Sequence, residues 1–390
     1  MNSDMSAKNA TADAVGVAAD AAPSGELRSE AAVSPDASLM TAVESGGGLA
    51  GLARRIVKVQ SFQILLVLVA ISVVFSLLAP DTFPTWGNLR LVIQNVSILA
   101  VLGIGMTYVI ITSGIDLSIG SVLVFSGVIA AKVMQSMGGD GWGTAIVGIL
   151  VSIVCGILWG LLNGALIAKA KVPPLIVTLG TLSGALGLAQ VITGGVDIRE
   201  VPAVLSTNIG YGNIPGTTIP TISVIALVFL VIFGVVLHKT RYGLYTYAVG
   251  SNEESARRVG VKVDRHLITI YALSGFMAGV AGILSLAQYS TTAIAGQSNT
   301  SLAVIAAVVI GGTSLFGGIG TIFGTVVGLF IPAILQNGFV ITGVQPFWQQ
   351  VAIGAVLIVA VYIDQRRRAA ASRANKTGKR SLAHLFRRSA

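Results

Sequence analysis

From residue 267 to residue 363 the chain runs for 97 residues without one charged side chain, and residues 201–237 supply a second charge-free run of 37. Runs of that length cannot cover a water-facing surface, because soluble domains carry about a quarter charged residues. Here only 11% of residues are charged, 54% are apolar and the mean hydropathy is +0.83. The apolar runs are of helix length and lack strand-length alternation, which favours helical spans over a barrel. The expected fold class is an all-α polytopic membrane protein.

About 20 apolar residues cross a bilayer core. By that ruler about ten transmembrane helices are expected, at 62–79, 91–111, 118–134, 144–168, 174–193, 219–237, 267–288, 302–316, 319–337 and 347–363. The boundaries at 111–118 and 316–319 are drawn through Gly and small polar residues rather than charge. Pro173-Pro174 opens the fifth span, where missing N–H groups are tolerated, and Pro332 is expected to kink the ninth. With the N-terminus inside, 22 of the 25 Lys and Arg residues fall on the inner side, leaving Arg90, Lys132 and Arg199 outside. That asymmetry places both termini and the 238–266 loop in the cytoplasm, with the outer loop 194–218 free to dock a partner or simply connect two spans.

The membrane domain so defined covers residues 56–365. Residues 1–55, rich in Ala, Ser, Asp and Gly, read as a disordered cytoplasmic tail, without the basic n-region and apolar h-region of a signal peptide. Residues 366–390 are a basic cytoplasmic tail suited to anionic lipid; nucleic-acid binding is not expected. Cys155, the one cysteine, lies in an apolar run and reads as a packed thiol.

The loop 238–266, HKTRYGLYTYAVGSNEESARRVGVKVDRH, separates the two charge-free runs. Ser251 followed by Glu254 is a capping-box spacing. Glu253 and Glu254 suit the first turn of a short helix, Arg257 and Arg258 its last, and Gly260 a left-handed stop. Two turns are marginal in water alone, so this helix is expected to rest on the membrane surface or another protein.

Within the spans, Asp116 in ITSGIDLSIGS is the one carboxylate between Thr82 and Gly139. An ionised Asp at a span centre costs about 2.5–3.5 kcal/mol on insertion scales, so it must face protein, water or a helix end. It is expected to cap the third span with Ser118, or to act in the pathway or its gate. Asn95, Asn163, Thr178, Gln190 and Gln288 join the candidate pathway set, since uncharged donors and acceptors suit a hydroxyl-rich solute; they suit inter-helix bonding equally well. No second carboxylate lies in any span, which disfavours a proton relay. The phosphate-loop pattern, H-E-x-x-H and Cys/His clusters are absent from the sequence, so no catalytic or metal residues are assigned and no cofactor is expected on this chain. An active pump would draw its energy from a partner or an ion gradient.

A weak internal repeat pairs LAVLGIGMTYVIITSGIDLSIGSV from Leu99 with LAVIAAVVIGGTSLFGGIGTIFGTV from Leu302. Each has an apolar run, a Thr-Ser-Gly hairpin and an I-G-S or I-G-T start to the next run, with both hairpins on the cytoplasmic side. Such repeats are common in transporters, with the pathway between the halves.

Four stretches in order then resemble the permease subunits of bacterial ribose, xylose and arabinose ABC importers: GIDLSIGSVLVFSGVIAA (114–131), VPPLIVTLGTLSGALGLAQVITGG (172–195), YAVGSNEESARRVGVKVDRHLITIYALSGFMAGVAGIL (247–284) and FGGIGTIFGTVVGLFIPAILQNGF (316–339). The resemblance implies a bacterial inner-membrane permease, with a fold similar to cobalamin-type importer permeases. It implies a second permease copy, a cytoplasmic ABC ATPase that carries ATP-Mg, and a periplasmic sugar-binding protein. It also implies that the segment from Glu254 through Ala256, Arg257 and Arg258 to Gly260 matches the family's E-A-A-x-x-x-G docking motif, with Ser255 for the first Ala. The cargo implied is ribose or a similar pentose; an autoinducer sugar, a nucleoside or a branched-chain amino acid is the alternative within the same machine. A self-contained secondary transporter is the alternative outside it.

Overall fold

The computed structural model describes residues 60–295, 300–345, 348, 350–355, 358–359, 361–362 and 365–366, all within the compact unit Arg54–Ala390. The expected 1–55 tail and the 366–390 tail beyond Arg366 lie outside the described residues, as do positions 347, 349, 356, 357, 360 and 363 of the expected span 347–363, whose described positions are helical. The described chain is helical throughout. Its elements are α1 (Gln60–Leu78), α2 (Trp86–Ile111), α3 (Ile119–Met137), α4 (Trp142–Ala168), α5 (Pro174–Thr193), α6 (Ala203–Leu205), α7 (Thr221–Lys239), α8 (Arg241–Ser251), α9 (Glu253–Arg258), α10 (Val263–Tyr289), α11 (Thr300–Ile310) and α12 (Ile322–Ile341). A π-helical turn, Ser206–Gly210, continues α6.

Seven of these, α2, α3, α4, α5, α7, α10 and α12, are long and apolar enough to cross a membrane. The expectation at 302–316 and 319–337 is corrected by the structure. Helix α11 ends at Ile310 after 11 residues, about 16 Å at 1.5 Å per residue, which is half of a bilayer core. Residues 311–321 form a hairpin because Gly312, Gly317 and Gly318 take positive φ of 100°, 79° and 74°, which no helix continues through. The second span starts five residues earlier than expected: Thr85 accepts a bond from Asn88 N–H at 3.3 Å and so admits Arg90 into the helix. Pro174 stands at the start of α5 as expected, and α12 runs on through Pro332.

The loops gather at two ends. At one end Ser113 Oγ donates to Gly250 O at 3.1 Å, Gly318 N–H to Ile111 O at 2.8 Å, and Lys171 pairs with Asp264 at 2.9 Å. Residues 112–118, 169–173, 238–262 and 311–321 therefore share that end. At the other, Arg90 donates to Tyr211 O at 3.0 Å, Gln135 to Glu200 at 2.7 Å, and Asn88 and Asn337 exchange bonds at 3.0 and 2.7 Å. Both repeat segments are helix–hairpin–helix units, α2–α3 and α11–α12. They meet along α2 and α12, where Thr107 and Thr325 hydroxyls bond at 2.7 Å.

The core sits on α10. Its Gly275 and Gly279 lie backbone to backbone against Gly156 and Gly160 of α4, where any Cβ would overlap a carbonyl, and Ser152 Oγ donates to Gly279 O at 2.7 Å. Small residues at four-residue spacing let membrane helices approach this closely, and the dispersion and hydrogen bonding gained hold them together. By contrast Leu150, Val154 and Leu158 of α4 and Leu227, Val228 and Val231 of α7 point outward, as lipid-facing side chains do.

Candidate functional site

The 238–266 loop folds into α8, α9 and the first turn of α10. Asn252, at φ −164° and ψ 104°, is the single extended residue between α8 and α9, and its side chain accepts Ser255 N–H at 2.8 Å. The cap is therefore Asn252, not Ser251. Ser251 is the last residue of α8, one position too early to reach the first free N–H groups of α9. Glu254 pairs forward with Arg258 rather than reaching back. Gly260 takes φ +89° as expected. Its N–H bonds Arg257 O at 3.0 Å while Val261 N–H bonds Ala256 O at 3.1 Å, closing the helix with the Schellman pair of bonds.

Helix α9 rests on its own chain. Ala256 is buried against Val249 of α8 and Val263 of α10. Arg257 bonds both Glu253, one turn back, and Asp264 of α10, and Asp264 also accepts from Lys171. Those two carboxylates, Asp264 first, hold the Arg257 guanidinium above its ordinary pKa. Ser251, Glu253, Glu254, Arg257, Arg258 and Gly260 are exposed. So are Val259 (78%) and Leu244 (64%), apolar side chains on the polar end of the molecule, where lipid does not explain them.

Behind this loop lies Asp116, 2% exposed. Its Oδ1 accepts Ser118 N–H at 3.0 Å and Ser118 Oγ–H at 2.6 Å, and its Oδ2 accepts Ser274 Oγ–H at 2.7 Å. Asn163 Nδ2 donates to Ser118 Oγ at 2.9 Å. Thr178 Oγ1 lies 3.3 Å from Ile115 O and 2.9 Å from Pro174 O. Four expected residues, Asp116, Ser118, Asn163 and Thr178, thus converge from the first hairpin, α4 and α5. The glycine contact of α4 with α10 supplies the fifth, Ser274, which the sequence reading missed; its only signal is a lone hydroxyl in LSGF within an apolar run. The expected cap is modified too. The carboxylate binds the N–H of Ser118, the residue before α3, as an Asx turn, and Ser118 itself makes no side-chain cap bond. These neutral partners fix a carboxylate in place, and no metal-holding group of His, Cys, Asp or Glu occurs among the described residues.

The remaining candidates lie elsewhere. Asn95 is half-buried on α2 and accepts from Tyr289 OH at 3.2 Å. Gln288 is buried where Gly210 backs onto the α10 backbone. Both are near the opposite end of the bundle. Gln190 is exposed on α5, in line with exposed Gly180 and Ser183; no atom lies over Gly180 or Gly187.

Comparison with known proteins identifies the family. Residues 88–361 match the family described as branched-chain amino acid transport system / permease component. The ribose import permease protein RbsC of Escherichia coli (strain K12) is 36% identical over 311 residues, 79% of this chain and 94% of that protein. The same-named protein of Bacillus subtilis (strain 168) is 39% identical over 303 residues, 76% and 90% of the two chains. The fructose import permease protein FrcC of Rhizobium meliloti is 35% identical over 306 residues, 77% and 84%. No solved structure matches.

Proposed function

The chain belongs to the branched-chain amino acid transport system / permease component family, and from that premise we propose that it is the membrane permease of an ATP-driven monosaccharide importer. The observation that carries this reading is identity of 36% and 39% to ribose import permeases across 94% and 90% of their length. The family's description names amino acids. The four polar groups gathered around Asp116 offer no free charge to an amino-acid zwitterion, whereas sugar hydroxyls need only neutral donors and acceptors.

ATP is hydrolysed on a separate cytoplasmic subunit that docks on α9, through Glu254, Arg258 and the exposed Val259 and Leu244. A second copy of the chain packs on α5, where Ser183 and Gln190 would otherwise face hydrocarbon at a cost of several kcal/mol for each unsatisfied group. A periplasmic binding protein delivers the sugar to the opposite end. The ten crossings are the seven long helices, α1, the half-length α11 with its hairpin, and residues 347–363, in an arrangement resembling cobalamin-type permeases. Both termini are cytoplasmic.

The test is uptake of labelled ribose, fructose and allose into proteoliposomes holding permease, ATPase and binding protein. Uptake should require ATP and survive an uncoupler of ion gradients. Uptake by this chain alone would instead identify a secondary transporter.

A further inference from the structure

Besides the path through Arg257, Asp264 and α10, a second route joins the exposed α9 to the hairpin of the buried Asp116, and it is made of backbone. Gly250, the penultimate residue of α8, is buried against Ile111 O of the first hairpin and Gly318 N of the second; a Cβ at Gly250 would overlap both. Those two atoms are hydrogen-bonded to each other, Gly318 N–H to Ile111 O, at 2.8 Å. Ser113, held at φ +62°, turns its hydroxyl to two carbonyls, Gly250 O at 3.1 Å and Phe316 O at 2.9 Å. Tyr247, one turn earlier on α8, donates to Gly320 O at 2.6 Å. Three segments remote in sequence thus meet at one point with no flexible side chain between them except the Ser113 and Tyr247 hydroxyls.

We propose that this junction, Gly250 with Ser113 and Gly317-Gly318, couples α9 to both hairpins so that the three segments move as one body. The inference deepens the importer reading and rests on it. Displacement of α9 is carried by α8, whose end lies only Asn252 away from α9. A packed side chain on a flexible stem would absorb an ångström of movement by changing rotamer, but directly apposed backbone cannot, so the motion passes to whatever the hairpins hold. The first hairpin holds Asp116 and, through Ser274, α10. The second joins α11 to α12. Coupling between separated sites travels through such rigid contiguous elements. Gly250, Ser113 and Tyr247 are positioning residues here, since none touches the ATPase face of α9 or the sugar.

The decisive variant is Ser113→Gly. Glycine accepts φ +62° more readily than serine, so the bridging hydroxyl is lost without added backbone strain. Gly250→Ala adds the overlapping Cβ, and Tyr247→Phe removes the second hairpin's bond. Each is purified with the ATPase and reconstituted with the binding protein. Two quantities are read in the assembled complex: labelled sugar moved per ATP hydrolysed, and the ATP-dependent change in hydrogen exchange of residues 112–118. Couplings between sites span roughly 5–150-fold; for Ser113→Gly sugar moved per ATP is expected to fall about tenfold, with ATPase retained and basal hydrolysis unchanged. The ATP-dependent exchange change should disappear from 112–118. A residue needed only for folding would lower the yield of complex and leave both ratios alone, so unaltered ratios in Ser113→Gly and Tyr247→Phe overturn the proposal, even if Gly250→Ala does not assemble. Should the unaltered complex move none of the three sugars, the cargo reading falls while the exchange comparison still decides the junction.

Discussion

At the end of the bundle that carries α8 and α9, the described residues include eight Lys and Arg side chains, at 169, 171, 239, 241, 257, 258, 262 and 265; the opposite end has three, at 90, 132 and 199. The polar bonds differ as well as the charges. At the basic end they run inward, from α9 through Arg257 and Asp264 to α10, and from Gly250 through Ser113 to the hairpin that buries Asp116. At the other end, beside the helix bonds of Asn88 with Asn337 and of Arg90 to Tyr211 O, a set runs sideways between loops: Thr292 Oγ1 and Ile294 N–H both donate to Asp197, at 2.9 and 2.8 Å, while Ile198 N–H donates to Thr292 Oγ1 at 3.0 Å. A surface joined to the interior can transmit a displacement. A surface whose loops are fastened to one another holds its own shape instead. The charge asymmetry distinguishes the two ends, and the bonds differ with it.

The sharpest way to break this comparison is at Asp116. Replacing it by Ala leaves the Ser118 N–H and the Ser118 and Ser274 hydroxyls without an acceptor, each unmet group costing about 1–3 kcal/mol. Asp116→Ala is therefore expected to lower stability by about 3–5 kcal/mol, seen as loss of folded protein in a detergent thermal-unfolding assay. Asp116→Asn keeps an acceptor oxygen and should be milder, with uptake reduced and its pH optimum unmoved. A shifted optimum would mean that Asp116 carries a proton in the cycle, and the inward bonds would then serve ion coupling.

How much of this was legible beforehand follows from what each feature depends on. Span positions depend on charge-free length, a property of the string itself, and α3, α4, α5, α7 and α10 fall within a few residues of expectation. Helix α11 was drawn too long because Gly311-Gly312 looks like other span glycines; only φ +100° at Gly312 separates a turn from a close helix contact. The short helix at 253–258 was readable from its charges and Gly260, but its cap was misplaced by one residue. Ser251 and Asn252 are both good caps, and the choice rests on α8 continuing through Ser251. Asp116 stood out as a lone carboxylate. Its partner Ser274 is 158 residues away, brought in by the α4–α10 glycine contact, and no local pattern states which helix faces which.

A smaller effect is expected at Gly260. Its φ of +89° strains any β-branched residue by about 1–3 kcal/mol, so Gly260→Val should destabilise the end of α9 while the rest of the bundle stays folded. Uptake should be lost and membrane content nearly normal. Normal uptake with normal ATPase co-purification would remove α9 from the docking role and leave the basic end without its assigned purpose. At the opposite end, Asp197→Ala removes the acceptor of two bonds, yet Thr292 N–H still bonds Ile198 O at 3.2 Å and Ile198 N–H still bonds Thr292 Oγ1. With those two bonds left in place, a loss of about 1 kcal/mol is expected. A loss matching that of Asp116→Ala would erase the distinction between inward and sideways bonding.

The smallest stability effect belongs to the most exposed pair at the basic end, Arg258 with Glu254, whose side chains are 77% and 74% exposed. Water screens such a pair and both side chains lose entropy by holding it, so Arg258→Ala is expected to cost less than about 0.5 kcal/mol. Arg257 next to it makes a useful control, because it joins α9 to α10 through Asp264 and packs no differently in sequence terms. If exposed charge on α9 serves only solubility, Arg258→Ala should leave ATPase affinity and uptake untouched, and Arg257→Ala should disturb both through the orientation of α9. If α9 is a docking surface, Arg258→Ala should weaken ATPase co-purification, and more so as salt is lowered toward conditions where charge pairs count most, with the unfolding midpoint unchanged. Binding lost without stability lost is the signature that separates a surface built for a partner from one built for the fold, and at Arg258 the two readings give opposite results in one titration.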